Sequence, residues 1–349
     1  MGGLHGRVVC FGEAMLRTAI PPSSESEANG APPALTPGGA EYNVACALAK
    51  LGREVVWLSA LPDDESSALI VQPARSAGVN VELESSQHPV GTYRIGNGGV
   101  QYNRSDSAFA NLEPGAIDWR ARLDGARWLV VSGITPLLGE GPRANWGAAM
   151  TFAELDGILV ALDLNHRPAL GTFDELWSIV EPRIRQVHLL VISVENLLTL
   201  TGATSEAALS ELRSKLNLPY LACTWKRGVP QNHPDESDTR LRETDESQPA
   251  APADCQQRWS AVAHSLGIAS TRDRRITHLP IEPLGGGDAW LAGFIDGLLG
   301  GLDPDSCCRR ADLLAALTPR TFGDLGEVTR EELSVRESIE GAVDLSEDG

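Results

Sequence analysis

Three consecutive glycines, Gly285, Gly286 and Gly287, run into an acidic residue, Asp288, at the start of an apolar helical pattern. Because glycine has no Cβ, the backbone can approach an anion closely, and the first amides of a helix have no acceptor inside it. Such amides can bind a phosphate group, and a carboxylate beside them can take a proton. The same pattern is also typical of a plain turn, so its meaning depends on the rest of the chain.

Three further clusters carry side chains that can bind small ligands. Gly39 and Asn43 stand at the entrance of a helix, where a turn with an N-cap is the simpler interpretation. Residues 102–108 include Arg104 on a polar strand, which a solvated face would also explain. Arg167 follows a buried strand, so we expect it in the crevice at the carboxyl end of that strand.

Composition limits the partners of this chain. With 349 residues and a formal net charge of -18, it lacks the basic surface that a nucleic acid or an anionic membrane requires. An anionic substrate would therefore need local arginines. No apolar stretch reaches the roughly 18 residues of a membrane helix, and the six cysteines show no CxxC spacing. We expect a cytoplasmic protein with reduced thiols.

Short apolar runs alternate with helical periodicity along most of the chain. This alternation predicts an α/β fold with a doubly wound, mostly parallel sheet and helices on both faces. The expected strands are residues 7–12, 55–61, 128–133, 158–164, 189–194 and 220–225, with later strands at 259–263 and 276–281.

Four segments depart from that rhythm. Residues 13–40 and 88–112 alternate polar and apolar positions, with Asn97 and Gly98 as a hairpin turn, and predict a small β lid. Residues 230–257 are polar and predict a disordered insertion. Residues 336–349 form an acidic tail that we expect to fray. Residues 1–335 then make up one domain around the insertion.

Several common catalytic motifs are absent. The chain has no GxxxxGK[ST], HExxH or GxSxG motif and no zinc-type Cys/His spacing. No GxGxxG follows the first strand, which argues against a dinucleotide-binding dehydrogenase.

Taken together, the four clusters resemble the ribokinase-like (PfkB) carbohydrate kinases, and most closely the 2-keto-3-deoxygluconate kinases. The similarity extends from residue 8 to about residue 333. It is carried by Gly38-Gly39-Ala40-Glu41-Tyr42-Asn43 and by residues 102–112, 132–136, 163–170 and 285–289, with a late segment from Ala315 to Asp324.

The resemblance implies ATP-dependent phosphorylation of a sugar acid, with Mg²⁺ on the phosphates. Asp288 would be the base, and the amides of Gly285, Gly286 and Gly287 would hold the γ-phosphate. The substrate-binding residues would be Gly39, Asn43, Tyr93, Tyr102, Arg104 and Arg167. The ATP-binding residues would be Thr224, Lys226, Gly285, Gly287, Ala315 and Ala316. The metal would lie near Glu195, and a homodimer through the lid is expected by analogy.

The chain departs from these relatives at several places, including Gly171, where they usually carry an aromatic residue, and the insertion at 230–257, near the nucleotide end. It has Glu282-Pro283 where they carry Asp-Arg or Asp-Thr, and the acid of their Asn-x-x-Glu motif is one position off, at Glu195. The leading hypothesis is conversion of 2-keto-3-deoxygluconate to its 6-phosphate. Another sugar kinase of the family, such as a fructokinase, and a catalytically impaired ligand sensor remain alternatives.

Overall fold

A ten-stranded sheet lies at the centre of the chain in the computed structural model. The structure describes residues 6–19, 34–96, 99–227, 256–272, 276–278, 284–320 and 325–347. The strands of this sheet are β1 (Arg7–Phe11), β4 (Val55–Pro62), β5 (Asn80–Ser86), β8 (Ala126–Ser132), β9 (Leu159–Asp163), β10 (Leu189–Ser193), β11 (Tyr220–Arg227), β12 (Gln256–His264), β13 (Gly267–Ser270) and β14 (Ile276–His278).

The strand order is β13-β12-β11-β10-β9-β8-β1-β4-β5, with β14 also paired to β12. Every pair from β11 to β5 is parallel, whereas β12 runs antiparallel to its three partners. The mostly parallel sheet is therefore confirmed. The order reverses between β1 and β8, which is where open α/β sheets form a ligand crevice.

Helices cover both faces of this sheet. Their bounds are α1 (Ala40–Lys50), α2 (Glu65–Ser76), α3 (Trp119–Leu123), α4 (Glu140–Leu155), α5 (Phe173–Val180), α6 (Val194–Thr201), α7 (Glu206–Leu216), α8 (Gly286–Leu299), α9 (Pro304–Leu317) and α10 (Arg330–Glu347). Within the described ranges, none of them combines the length and apolar character needed to cross a bilayer.

Two apolar cores hold these layers together. Successive residues of β1 point to opposite faces, so Val8 and Cys10 join the core under α1 and α8, while Val9 and Phe11 join the core under α4. Because helices cover both faces, the central strands are apolar at successive positions and do not alternate between apolar and polar residues. The double winding predicted from the sequence is confirmed.

A second, smaller sheet forms the predicted lid. It consists of β2 (Met15–Ala19), β3 (Ala34–Gly38), β6 (Thr92–Gly96) and β7 (Gly99–Asn103), in the order β3-β2-β6-β7. β6 and β7 pair as the expected antiparallel hairpin, although residues 97 and 98 lie outside the described ranges. β2 follows β1 and β6 follows β5, so the lid starts from the carboxyl edge of the large sheet.

The acidic tail is helical over most of its length. Residues 336–349 were expected to fray, but α10 continues to Glu347. Leu333 of this helix is fully buried, and Arg310 Nη1 donates to both carboxylate oxygens of Glu337 at 2.6 Å. These contacts with α9 offset the low helical tendency of an isolated acidic segment.

The predicted insertion lies almost entirely outside the described residues. The structure describes nothing from 228 to 255. The last two residues of the predicted insertion, Gln256 and Gln257, belong to β12. The strand therefore begins earlier than the sequence suggested.

Candidate active site

The first turns of two helices meet at the carboxyl edge of the sheet. Asn43 Nδ2, on α1, donates a hydrogen bond to Asp288 Oδ2, on α8, at 2.7 Å. Asn43 is itself fixed to the helix entrance, because its backbone N–H donates to the Gly39 carbonyl at 2.8 Å. The structure thus brings together Gly39, Asn43 and Asp288, which the sequence assigned to substrate binding and proton transfer.

Gly39 is required by a close approach of the backbone. A Cβ at this position would lie 2.2 Å from the carbonyl oxygen of Glu13, so no side chain fits. The entrance of α1 is therefore pressed against the segment that links β1 to the lid.

The glycine triplet forms the entrance of α8. Gly285 is the N-cap residue and has a left-handed φ of 68°, which favours glycine. A Cβ on Gly286 would lie 2.8 Å from Arg258 Nη1, whereas a Cβ on Gly287 would meet no described atom within 4 Å. Among the described residues, therefore, there is no steric reason for a glycine at position 287.

The floor of the cleft carries a buried carboxylate, Glu41. A pocket beneath Asp288 is lined by Glu41, Ser132 and Asp163, which come from α1 and the ends of β8 and β9. A Cβ at Gly12 would lie 2.1 Å from Glu41 Oε2, so the glycine after β1 makes room for this side chain.

Burial changes the protonation of Glu41. Desolvation raises its pKa to about 7, and hydrogen bonds with Ser132 only partly oppose this effect. The nearby charge of Asp163 raises it further. Near neutral pH the floor of the cleft is therefore close to the midpoint of a protonation change.

The lid contributes a second group of predicted residues. Tyr93 and Tyr102 lie opposite each other on β6 and β7, and their rings stack with centroids 5.8 Å apart. The Arg104 guanidinium lies over the Tyr102 ring at 5.5 Å. These three predicted substrate-binding residues therefore form one surface.

Arg104 is already engaged by a carboxylate. Its Nη2 forms a short, buried ion pair with Glu13, which also accepts from the Ser107 hydroxyl. Its Nε has no hydrogen-bond partner among the described residues. The positive charge of Arg104, which we expected to bind a substrate carboxylate, is therefore largely balanced by Glu13.

Arg167 lies in the loop that follows β9 and is exposed. The loop is shaped by Asn165, which has a left-handed φ of 40° and whose N–H donates to Asp163 Oδ1 at 3.1 Å. No salt bridge reaches Arg167 from the residues that the structure describes. Its guanidinium therefore remains available to a ligand.

Apart from the glycine triplet, the predicted nucleotide residues lie toward the carboxyl end of β11 and at the end of α9. Thr224 is partly buried on β11, and for Lys226 on the same strand only the backbone is described. Ala315 and Ala316 are buried, so neither methyl group is open to a ligand in this structure. Their segment nevertheless lies beside the glycine triplet, because the Ala315 carbonyl is 3.3 Å from the Cβ position of Gly286.

Glu195, the predicted metal ligand, is exposed in the first turn of α6. Within the described part of the chain, no group of three or more His, Cys, Asp or Glu side chains could hold a metal ion. Glu282 and Pro283 lie outside the described residues.

Sequence reasoning missed three buried charged residues near the site. They are Glu13, Arg258 and Asp312. Glu13 follows Gly12 directly after a buried strand, and that position could have identified it. Arg258 and Asp312 lie on β12 and α9 among other polar residues of the sequence, and nothing in the local pattern marks them.

A doubly wound sheet with a β lid, and with a glycine turn and a carboxylate at its carboxyl edge, is typical of enzymes that transfer phosphoryl groups to small molecules. Residues 6–218 match the pfkB family carbohydrate kinases. The chain therefore belongs to this family, and it is a carbohydrate kinase.

The names of two similar proteins agree with this assignment. The chain is 27% identical over 337 residues to a 2-dehydro-3-deoxygalactonokinase of Haloferax volcanii, covering 95% of this chain and 96% of that protein. It is 25% identical over 318 residues to a 2-dehydro-3-deoxygluconokinase of Bacillus subtilis, covering 85% of each.

A solved structure supports the fold over the whole chain. The crystal structure of 2-dehydro-3-deoxygluconokinase from Thermotoga maritima superposes with a TM-score of 0.82 at 26% identity. The match covers 96% of this chain and 100% of that one. The ribokinase-like fold expected from the sequence is confirmed.

Proposed function

We propose that this carbohydrate kinase phosphorylates a 2-keto-3-deoxy sugar acid, with 2-keto-3-deoxygluconate converted to its 6-phosphate. The observation that supports this most directly is the 2.7 Å contact between Asn43 and Asp288. It joins the part of the cleft assigned to the sugar with the part assigned to the phosphate. The names of the relatives, which refer to the gluco and galacto forms of this acid, agree with the proposal.

In the proposed reaction Asp288 accepts the proton of the terminal sugar hydroxyl. The hydroxyl oxygen forms a bond to the γ-phosphorus of ATP as the bond to the bridging oxygen breaks, and ADP leaves. Because charge in this transition state spreads over the equatorial oxygens, fixed dipoles at the entrance of α8 matter more than a strong base. The amides of Gly286 and Gly287 are suited to that task.

The open space beside Gly287 fits a phosphate group. A Cβ there would meet no described atom within 4 Å, so the position can be occupied by a ligand instead of by the protein. A phosphate in this position would belong to ATP as the donor. The adenine is assigned to the segment around Ala315, where it would contact neighbouring atoms because the methyl groups of Ala315 and Ala316 are buried.

The described residues do not offer Mg²⁺ a metal centre of their own. Mg²⁺ would enter with the ATP phosphates and keep most of its waters, as this ion commonly does. None of the residue roles proposed for this chain depends on the metal.

Two arginines favour a negatively charged substrate. Arg167 is exposed, and it has no ion pair with a described residue, so we assign it the substrate carboxylate. Arg104 keeps an unpaired Nε beside the stacked tyrosines and would add a further hydrogen bond. Gly39, Asn43, Tyr93 and Tyr102 would contact the hydroxyl groups and carbons of the sugar.

The pairing of Arg104 with Glu13 favours a second candidate, a kinase of a neutral sugar such as fructose. If Arg104 is balanced by Glu13 at all times, a single arginine faces the substrate. A neutral sugar would then need no second positive charge.

A panel assay separates the two candidates. Purified protein with Mg-ATP is incubated with 2-keto-3-deoxygluconate, its galacto epimer, fructose and ribose, and sugar-dependent ADP release is measured. The proposal predicts that kcat/KM for the acids exceeds that for the neutral sugars by at least about 100-fold, the ratio that two charge-assisted hydrogen bonds support. Preference for fructose would establish the second candidate, and no ADP release with any sugar would indicate a ligand sensor.

A further inference from the structure

A buried arginine stands behind the first turn of α8. Arg258 lies on β12, and only 3% of its surface is exposed. Its Nη1 donates to the carbonyl oxygen of Gly286 at 2.8 Å. Gly286 is the first residue of α8 and stands two positions before Asp288, so the arginine contacts the helix turn that carries the proposed base.

The charge of Arg258 is not cancelled by direct contact with a described residue. No carboxylate oxygen of the described residues lies within 4.0 Å of it, and its Nε and Nη2 have no described hydrogen-bond partner. Burial lowers the pKa of Arg258, and the more distant charges of Asp312 and Asp288 oppose that effect.

Asp312, the nearer candidate for a partner, is held elsewhere. Its Oδ2 accepts from the Ser260 hydroxyl at 3.0 Å and from the Thr271 hydroxyl. Desolvation raises the pKa of Asp312 to about 6, and the hydrogen bond from Thr271 and the charge of Arg258 oppose this effect. The hydrogen bond to the Gly286 carbonyl thus places the guanidinium charge of Arg258 beside the first residue of α8.

Burying a guanidinium is costly because the charged group loses its hydration, and Nε and Nη2 of Arg258 find no acceptor among the described residues in return. Core packing alone gives no reason to accept that cost. The position of the charge gives one, since it reinforces the positive end of the α8 dipole where a phosphate would bind.

We propose that Arg258 is a positioning residue for phosphoryl transfer: through the Gly286 carbonyl it fixes the first turn of α8 and adds positive potential to the amides that face the transferred group. This inference rests on the proposed kinase function of the same cleft. Arg258 does not touch the reacting atoms; it acts through the backbone of Gly286 and through its attraction for Asp288.

The test compares Arg258→Gln, Arg258→Met and Arg258→Lys with a matched control, Arg183→Gln. Arg183 makes the same type of contact on the opposite face of the sheet, since its Nη1 donates to the Gly147 carbonyl at 3.0 Å. A Cβ on Gly147 would lie 2.8 Å from Arg183 Nη2, as a Cβ on Gly286 would from Arg258 Nη1. Each variant is assayed for kcat, for both KM values, for binding of the ATP analogue AMP-PNP by calorimetry and for its melting temperature.

For Arg258→Gln we expect kcat to fall about 30-fold, less than the loss of 10²–10³ caused by removing a donor that touches the reacting oxygen. KM for the sugar acid should stay within about threefold, because the ground-state sugar contacts are intact. AMP-PNP affinity should fall about fivefold, as one charge at a helix N-terminus contributes about 1 kcal/mol. Arg258→Lys should recover most of both losses, whereas Arg183→Gln should lower the melting temperature without changing kcat.

Normal kcat and AMP-PNP affinity in Arg258→Gln would overturn the proposal, as would a lysine variant no better than the glutamine variant. If the glutamine variant does not fold, Arg258→Met supplies the uncharged comparison because it fills a similar volume. If the wild-type protein phosphorylates no sugar, the proposed function fails, and the AMP-PNP affinities alone then decide the role of Arg258.

Discussion

Asn43 and Asp288 are 245 residues apart in the chain, yet the amide nitrogen of one lies 2.7 Å from the carboxylate oxygen of the other. Each belongs to the first turns of its helix, and the two helices pack on the same face of the sheet. The hydrogen bond therefore orients the proposed base from the side where the sugar would bind.

The first prediction concerns this contact. Asn43→Ala should lower kcat/KM for the sugar acid about 10- to 100-fold, because the base loses its orientation and the sugar loses a hydrogen bond. Affinity for AMP-PNP should remain within about twofold, since no phosphate contact is removed. Steady-state kinetics and calorimetry check both parts.

Asn145→Ala is the control for Asn43. Asn145 is also buried on a helix and donates to the carbonyls of Glu113 and Gly141, but it lies under the opposite face of the sheet. It should lose stability and keep its kinetics. Equal kinetic losses in both variants would mean that Asn43 acts only through folding.

The second prediction concerns Arg167, which is exposed in the loop that follows β9. Arg167→Ala should raise KM for the sugar acid about 10- to 100-fold, the value of a charge-assisted hydrogen bond of about 1.5–3 kcal/mol. KM for ATP and the melting temperature should not change. Arg120→Ala, an exposed arginine on α3, serves as the control. An unchanged KM for the acid would remove Arg167 from the site.

The third prediction concerns the pH dependence of stability. Burial raises the pKa of Glu41 to about 7 in the folded protein, from 4.5 for the free side chain. The folded state therefore binds this proton more tightly, and its contribution to stability is complete below pH 4.5 and is lost as pH rises through about 7.

Glu41→Gln keeps the shape of the side chain without the charge. Its free energy of unfolding relative to the wild type should rise between pH 5 and pH 8 by up to about 3 kcal/mol. Thermal or denaturant unfolding at several pH values measures this difference. A difference that stays constant with pH would show that Glu41 does not titrate in this range.

The fourth prediction contrasts neighbouring glycines. A methyl group on Gly287 would meet no described atom within 4 Å, so Gly287→Ala should fold normally but bind AMP-PNP about tenfold more weakly, because the methyl group takes space near the phosphate. A methyl group on Gly286 would lie 2.8 Å from Arg258 Nη1, so Gly286→Ala should lose about 1–3 kcal/mol of stability. If both variants bind AMP-PNP normally, the glycine turn does not hold phosphate.

Strands whose residues are uniformly buried could be predicted from the sequence. A strand whose residues are unevenly buried could not. The central strands, such as β10, are apolar at nearly every position and were found within one or two residues. β5 was missed because it is an edge strand with exposed and half-buried residues in no regular order. The helix over the tail was not anticipated because it depends on the contacts of Leu333 and Glu337 with the rest of the protein and not on local composition.

The same limit applies to the site. Gly39, Asn43 and Asp288 could be named because glycines and polar groups at helix entrances follow a local pattern. The ion pair of Glu13 with Arg104 joins residues 91 positions apart, and no local pattern reveals such a contact. The role of Arg258 depends in the same way on tertiary packing, since its contact with Gly286 spans 28 positions and crosses from a strand to a helix.

The most direct test of the account is phosphoryl transfer by wild-type protein and by Asp288→Asn. With Mg-ATP and 2-keto-3-deoxygluconate, we predict that the wild type forms a sugar acid monophosphate detectable by mass spectrometry, and that the variant is slower by about 10³-fold because the proton has no acceptor. AMP-PNP binding should persist in the variant. Equal rates in the two proteins, or no phosphorylated product from the wild type, would contradict the account.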